Sequence, residues 1–238
     1  MMKFSYPRTF LLGFGFFGVS VIWGIYNAYV PVMLQDRFLL ATGFIGAFMT
    51  LDNIAALFIQ PAVGAWSDNV RSRIGRRLPF ILVGAPLSAV AFVLLPIAKS
   101  LFFFFLAAVL LLLSMALWRT PVVALMPDVT PSEHRSVANG IINLMGGLGA
   151  IIAFLGGANL YEINPEYPIL LGAVLVVAAL LVFIFVREPK VYPPSSEERP
   201  NLIKAARGLF NSDEKSPLFI LLAILFWFVA YNGIEAMF

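Results

Sequence analysis

Long apolar runs decide what this chain can become. Seven of them, near residues 10–34, 39–66, 79–98, 101–127, 137–160, 168–186 and 217–238, are separated by shorter polar stretches. Each approaches or exceeds the ~20 residues that a helix needs to cross the hydrocarbon core of a bilayer. The solvent for such a chain is lipid: 61% of its 238 residues are hydrophobic, 12% are charged, and the mean hydropathy is +0.91. A soluble domain of this size could not hide that much apolar surface. Backbone groups in lipid must satisfy one another, and the runs are too long for barrel strands, so they are helices. The first run follows Lys3 and Arg8 in the manner of a signal peptide. Its length and its lack of a small-x-small cleavage site mark it instead as a retained span. The expected fold class is all-α, a polytopic membrane helix bundle.

Charge placement sets the orientation. The stretch Gly64-Ala-Trp-Ser-Asp68-Asn-Val-Arg71-Ser-Arg73-Ile-Gly75-Arg76-Arg77-Leu-Pro79 joins spans two and three. Lys and Arg resist translocation, so a loop this basic is expected on the cytoplasmic side. With the N-terminus also inside, only Arg37 and Lys99 of the loop cations fall outside. Gly64 and Gly75 are expected to permit close backbone approach and a tight turn, with Asp68 where helix gives way to loop. Residues 187–216 form the one long polar stretch, with Pro193 and Pro194 near its start. Within it, Leu202–Phe210 is either a basic amphipathic helix on the membrane face or part of a flexible linker. The domain division is therefore 1–186 as a six-helix bundle, 187–216 as a cytoplasmic linker, and 217–238 as one further helix. Tyr26-Asn27 in span one recurs as Tyr231-Asn232 in span seven. That spacing suits parallel repeats and implies that a second half is begun and not finished, with about five spans missing.

Few residues here carry chemistry. There is no cysteine, and the single His134 lies in a polar loop, so thiolate and His-cluster metal sites are excluded. No nucleotide loop or nucleophile–base set is present, and nothing points to an enzyme, a cofactor or nucleic acid. The polar residues inside the spans are the candidates. Arg119 lies about 14 Å along its helix from Asp128, too deep to be tolerated unless it faces a wet cavity, a partner, or snorkels to the interface. Asp52 lies near the midplane of span two, about 24 Å above Asp68, whereas Gln60 matches Arg119 in depth. A direct Asp52–Arg119 bond therefore needs tilt or a kink at Pro61 or Pro121. Asn53 and Gln60 share a helix face; interhelical hydrogen bonding is the alternative to lining a cavity. Tyr26, Asn27 and Asn143 complete the candidate substrate-binding set. Span five carries Gly146, Gly147, Gly149, Ala153 and Gly157, a small-residue stripe that lets helices approach closely.

The Gly64–Pro79 stretch resembles the loop between the second and third helices of the major facilitator superfamily, whose pattern is Gly-x-x-x-Asp-x-x-Gly-Arg-Arg/Lys. An ordinary positive-inside loop is the competing reading. The longer spacing here, with Asp68 and Gly75 further apart, is similar to the branch of sucrose and glycoside proton–sugar symporters. Arg119-Thr120 through Pro127-Asp128 resembles the end of the fourth helix in sucrose transporters, where the arginine is associated with the sugar and proton pathway. Plant members carry an aspartate about three turns earlier; this chain has Ala108 there. Asp128 through Arg135, Asn139 and Gly140 also resembles that branch. The resemblance covers most of residues 20–160. It implies the N-terminal half of a twelve-helix transporter, with Gly64, Asp68, Arg73, Gly75, Arg76, Arg77, Asp128 and Arg135 as a conformational gate. Asp128 and Arg135 are expected to pair with Arg73, Arg76 or Asp68. The implied function is proton-coupled symport of a di- or oligosaccharide or glycoside across the plasma membrane, with Asp52 carrying the proton. The missing C-terminal half would be required. Exchange or efflux of another small solute, or sensing without transport, remain the alternatives.

Overall fold

A computed structural model describes residues 4–188 and 215–235 of the chain. Two compact units are present, residues 1–190 and 191–238. The first contains α1 (Tyr6–Phe38), α2 (Thr42–Met49), α3 (Leu51–Asn69), α4 (Leu78–Ile97), α5 (Leu101–Val129), α6 (Arg135–Ile163) and α7 (Tyr167–Phe183). A 3-10 turn, Ser132–His134, leads into α6. The second unit contains α8 (Ser216–Glu235). The amphipathic stretch expected at Leu202–Phe210 lies outside the described residues, as do the side chains of Tyr231 and Asn232.

Local chemistry explains the ends of these helices. Pro7, Pro79 and Pro168 open α1, α4 and α7, where a missing N–H costs nothing and the ring presets φ. Ser100 caps α5 by accepting from the Phe103 N–H at 3.4 Å. Leu39 closes α1 in a left-handed conformation, its N–H donating to the Gln35 carbonyl at 3.0 Å. Six prolines lie inside α1, α3, α4 and α5. Packed membrane helices tolerate them because neighbouring groups and local adjustments take up the freed carbonyls.

Span two, expected as one run over 39–66, is interrupted at Thr50. The Thr50 hydroxyl donates to the Gly46 carbonyl at 2.8 Å, and the Asn53 N–H reaches back only to the Thr50 carbonyl at 3.1 Å. A threonine bonding back one turn bends a helix and here tightens the following turn. The break thus falls two residues before Asp52 and three before Asn53. Four helices among the described residues, α1, α4, α5 and the turn-plus-α6 segment, are long and apolar enough to cross a membrane; α7 is a shorter apolar helix.

The core of the first unit is built from α1 against α6, α4 against α5, and α7 against both α1 and α4. Tyr26, Ile22, Phe92, Phe104 and Phe183 are fully buried in it. Small residues bring α1 and α6 together. A Cβ at Gly149 would stand 2.6 Å from the Phe17 carbonyl oxygen, and one at Gly157 would stand 2.7 Å from the Tyr29 hydroxyl. Outward positions are apolar too: Phe102, Leu155 and Phe185 are at least 65% exposed. That pattern belongs to a bundle whose solvent is hydrocarbon. The protein is an integral, multi-pass membrane protein.

Candidate functional site

Among the described residues, two polar groups bear on the candidate site. One is at the middle of the bundle, the other at the end where α3, α5 and α7 finish and α4 begins.

The middle group is centred on Arg119. Trp118, its neighbour on α5, is buried between α1 and α4: added Cβ atoms at Gly18 and Gly84 would meet it at 3.2 and 2.8 Å. One residue on, a helix turns by about 100°. That rotation sends Arg119 to the side where α1 presents Trp23. The guanidinium carbon stands 5.5 Å from the Trp23 ring centroid, within cation–π range. Trp23 meets Tyr26 edge to face at 5.7 Å, and Tyr26 is 1% exposed. Arg119 therefore lies over an aromatic residue half-way along α1 and does not snorkel to the basic end. The Trp23 indole N–H has no hydrogen-bond partner among the described residues, nor has the Thr120 hydroxyl beside Arg119.

The structure joins Arg119 and Tyr26 through Trp23, a residue that the sequence reading did not single out. Only its spacing of three from Tyr26 on an apolar face signalled it. Asn27 is exposed on α1, Asn53 on α3 and Asn143 on α6, whereas Gln60 is half-buried on α3. Asp52 occupies the first turn of α3, and its side chain lies outside the described residues.

The second group is an ion cluster. Arg77 is 5% exposed and sits between two acids: its Nη2 is 2.9 Å from Asp68, and its Nε donates to Asp128. Arg76 reaches Asp128 at 2.9 Å and Asp68 at 4.0 Å. Arg77 also lies 3.4 Å from the Ser67 hydroxyl, which donates to the Gly64 carbonyl at 2.9 Å. The end of α3, the α3–α4 loop and the end of α5 are thereby locked together. Arg77, absent from the pairs expected from the sequence, is the centre of the cluster. Arg73 meets no carboxylate among the described residues, and Arg135 donates to the Pro127 carbonyl at 3.3 Å instead of to an acid.

Glu188 was not anticipated at all. It follows α7, is 7% exposed, and accepts from the backbone N–H groups of Arg77 (3.0 and 3.1 Å) and Leu78 (3.1 Å). A carboxylate from elsewhere in the chain thus caps α4 and suits the positive end of its dipole. Gly75 makes room for it. Its φ is +125°, a conformation that side chains rarely adopt, and a Cβ there would overlap the Glu188 carboxylate. Gly64 is different: a Cβ there would make an ordinary contact of 3.4 Å with Thr120, so close approach does not require glycine at that position. The only sequence sign of Glu188 was an acid placed directly after an apolar span.

The family model of the Major Facilitator Superfamily matches residues 12–238. The chain belongs to that superfamily. Among its relatives, sucrose transport protein SUC3 of Arabidopsis thaliana is 29% identical over 128 residues, which is 44% of this chain and 22% of the relative. Sucrose transport protein SUT5 of Oryza sativa subsp. indica is 24% identical over 172 residues, 60% of this chain and 32% of the relative. The human proton-associated sugar transporter A is 38% identical over 84 residues, 33% of this chain and 10% of the relative. The chain matches a third or less of the length of these relatives. A bacterial homologue of the human lysosomal transporter Spinster, solved facing inward and unoccupied, superposes with a TM-score of 0.56 at 18% identity. That match covers 85% of this chain and 48% of the other. This superfamily member is thus an all-α membrane helix bundle that matches about half of that transporter's fold, and its relatives include sugar transporters.

Proposed function

We propose that the protein works in proton-coupled symport of a sugar, a di- or oligosaccharide or glycoside. Transport proceeds by alternating access around a site near the bilayer midplane. The observation that carries this reading is Arg119, held between α1 and α5 over Trp23 half-way along the bundle. A half-buried guanidinium is still expensive inside a span, and its planar fork can hydrogen-bond two sugar hydroxyls at once. The Trp23 face beside it suits the apolar face of a sugar ring. The names of the relatives, sucrose transport proteins and a proton-associated sugar transporter, agree in substrate class.

In this reading residues 1–186 are the N-terminal bundle, 187–216 a cytoplasmic linker and 217–238 the first helix of a second half. The basic end faces the cytoplasm, and the membrane is the plasma membrane. Tyr26, Asn27, Asn53, Gln60 and Asn143 contribute to the sugar site with Arg119. The cluster of Asp68, Arg76, Arg77 and Asp128, steadied by Glu188 and Gly75, forms in one conformation and breaks in the other. A network present in only one of two states biases the equilibrium between them. Asp52 carries the proton, and sugar bound nearby links the two ligands thermodynamically.

The test is uptake of a labelled sugar panel into vesicles containing the full-length protein, with and without an imposed proton gradient. Gradient-driven accumulation of a glycoside is expected in the wild type. Asp52→Asn, a mimic of the protonated acid, should keep binding and exchange but lose uphill accumulation. Sugar accumulation by Asp52→Asn with unchanged pH dependence places the coupling elsewhere. A panel without any transported sugar rejects the substrate class.

A further inference from the structure

Beside the ion cluster, where α7 ends and α4 begins, lies a cavity of about 260 Å³. Ile74, Leu82 and Ile184 give it apolar walls, and Arg73 and Arg187 stand in its lining as exposed cations. Neither guanidinium meets a carboxylate among the described residues, in contrast to Arg76 and Arg77. The acid in the lining, Glu188, already accepts the N–H groups of Arg77 and Leu78. Arg8 adds a further positive charge at this corner, since its guanidinium donates to the Arg187 carbonyl.

We propose that this cavity binds an anionic phospholipid from the leaflet at the basic end of the bundle. The phosphate lies between Arg73 and Arg187, and one acyl chain runs against Ile74, Leu82 and Ile184. The charge is complementary to a phosphodiester, and the apolar walls have no use for a free phosphate. Ile74 and Ile184 are about half exposed, at 50% and 47%, so a chain laid on them covers surface otherwise left open at the membrane boundary. A zwitterionic lipid gains less, because its own cation faces the two arginines. Occupancy ties the α3–α4 loop to the end of α7, the same two segments that Glu188 joins.

The test uses the purified chain in detergent with phosphatidylglycerol, phosphatidylcholine or glycerol 3-phosphate. Bound lipid is counted by native mass spectrometry, and thermal unfolding is followed in parallel. Basic residues near a membrane surface each contribute enough that two should give the wild type on the order of tenfold preference for phosphatidylglycerol. Arg73→Ala/Arg187→Ala should lose that preference. Leu82→Trp, which fills the cavity and leaves the charges, should weaken phosphatidylglycerol binding as well. Glycerol 3-phosphate should neither bind nor compete. Should the double variant fail to fold, Arg187→Gln alone is read the same way, with a partial loss expected. Equal binding of the two lipids by the wild type overturns the proposal, as does preference retained in the arginine variants. Saturable competition by glycerol 3-phosphate also overturns it, since the ligand is then a small phosphate and not a lipid.

Discussion

Arg77 is buried yet carries a full charge, and its acids do not contribute equally. Asp128 has a side chain 16% exposed and serves Arg76 as well, whereas Asp68 is 51% exposed. Removing one partner from a buried ion pair costs about 3–5 kcal/mol, whereas exposed pairs are worth about 0–1 kcal/mol. Asp128→Ala should therefore lower the thermal unfolding temperature of the purified protein clearly more than Asp68→Ala. Equal effects would mean that water reaches Arg77 freely. At the middle of the bundle, Arg119→Ala should abolish sugar binding and uptake in the full-length protein while membrane insertion stays intact. Deleting a charge from a span removes an unfavourable term, so insertion has no reason to fail. Arg119→Lys keeps the charge but loses the planar fork and should retain partial function at most. Uptake at wild-type level by Arg119→Ala would exclude the arginine from the site.

At the scale of the helices, α1 and α6 depend on backbone approach. The Phe17 carbonyl would lie 2.6 Å from a Cβ on Gly149, whereas a Cβ on Gly147 meets nothing within 4 Å. Gly149→Val should destabilise the bundle by about 1–3 kcal/mol, the usual cost of overpacking, and Gly147→Val should not. Comparison of the two unfolding temperatures checks it; a matched pair of losses would point to helix propensity instead of packing. The break at Thr50, where its hydroxyl donates to the Gly46 carbonyl, separates α2 from the first turn of α3, which carries Asp52 and Asn53.

For the whole molecule, the arginine-rich end and the Asn164 end should face opposite compartments. Cysteines introduced singly at Ser72 and Asn164, both in loops, should label from opposite sides of the membrane with an impermeant reagent, Ser72 from the cytoplasm. Labelling from one side would reverse the topology argument. Residues 1–238 alone should not transport sugar, because a midplane site between two halves needs both. Saturable uptake by the purified chain would show that one half and a helix suffice.

Helix formation in lipid, the gross order of spans and the superfamily pattern were legible in the sequence because each depends on local composition. Apolar length, loop charge and turn residues act within one or two dozen positions. The pairing of Asp128 with Arg76 was legible too, since Asp128 ends one span and Arg76 lies in the basic loop before another. Other features depended on residues far apart in the chain. Glu188 caps a helix that begins 110 residues earlier, and that pairing exists only once α7 is packed beside α4. Trp23 becomes the partner of Arg119 only because glycines at 18 and 84 let Trp118 sink between two helices. The sequence determined that this chain is a multi-pass membrane protein. Tertiary packing decided which charge meets which acid, because a pair is fixed by the approach of backbones and not by the spacing of residues along one helix.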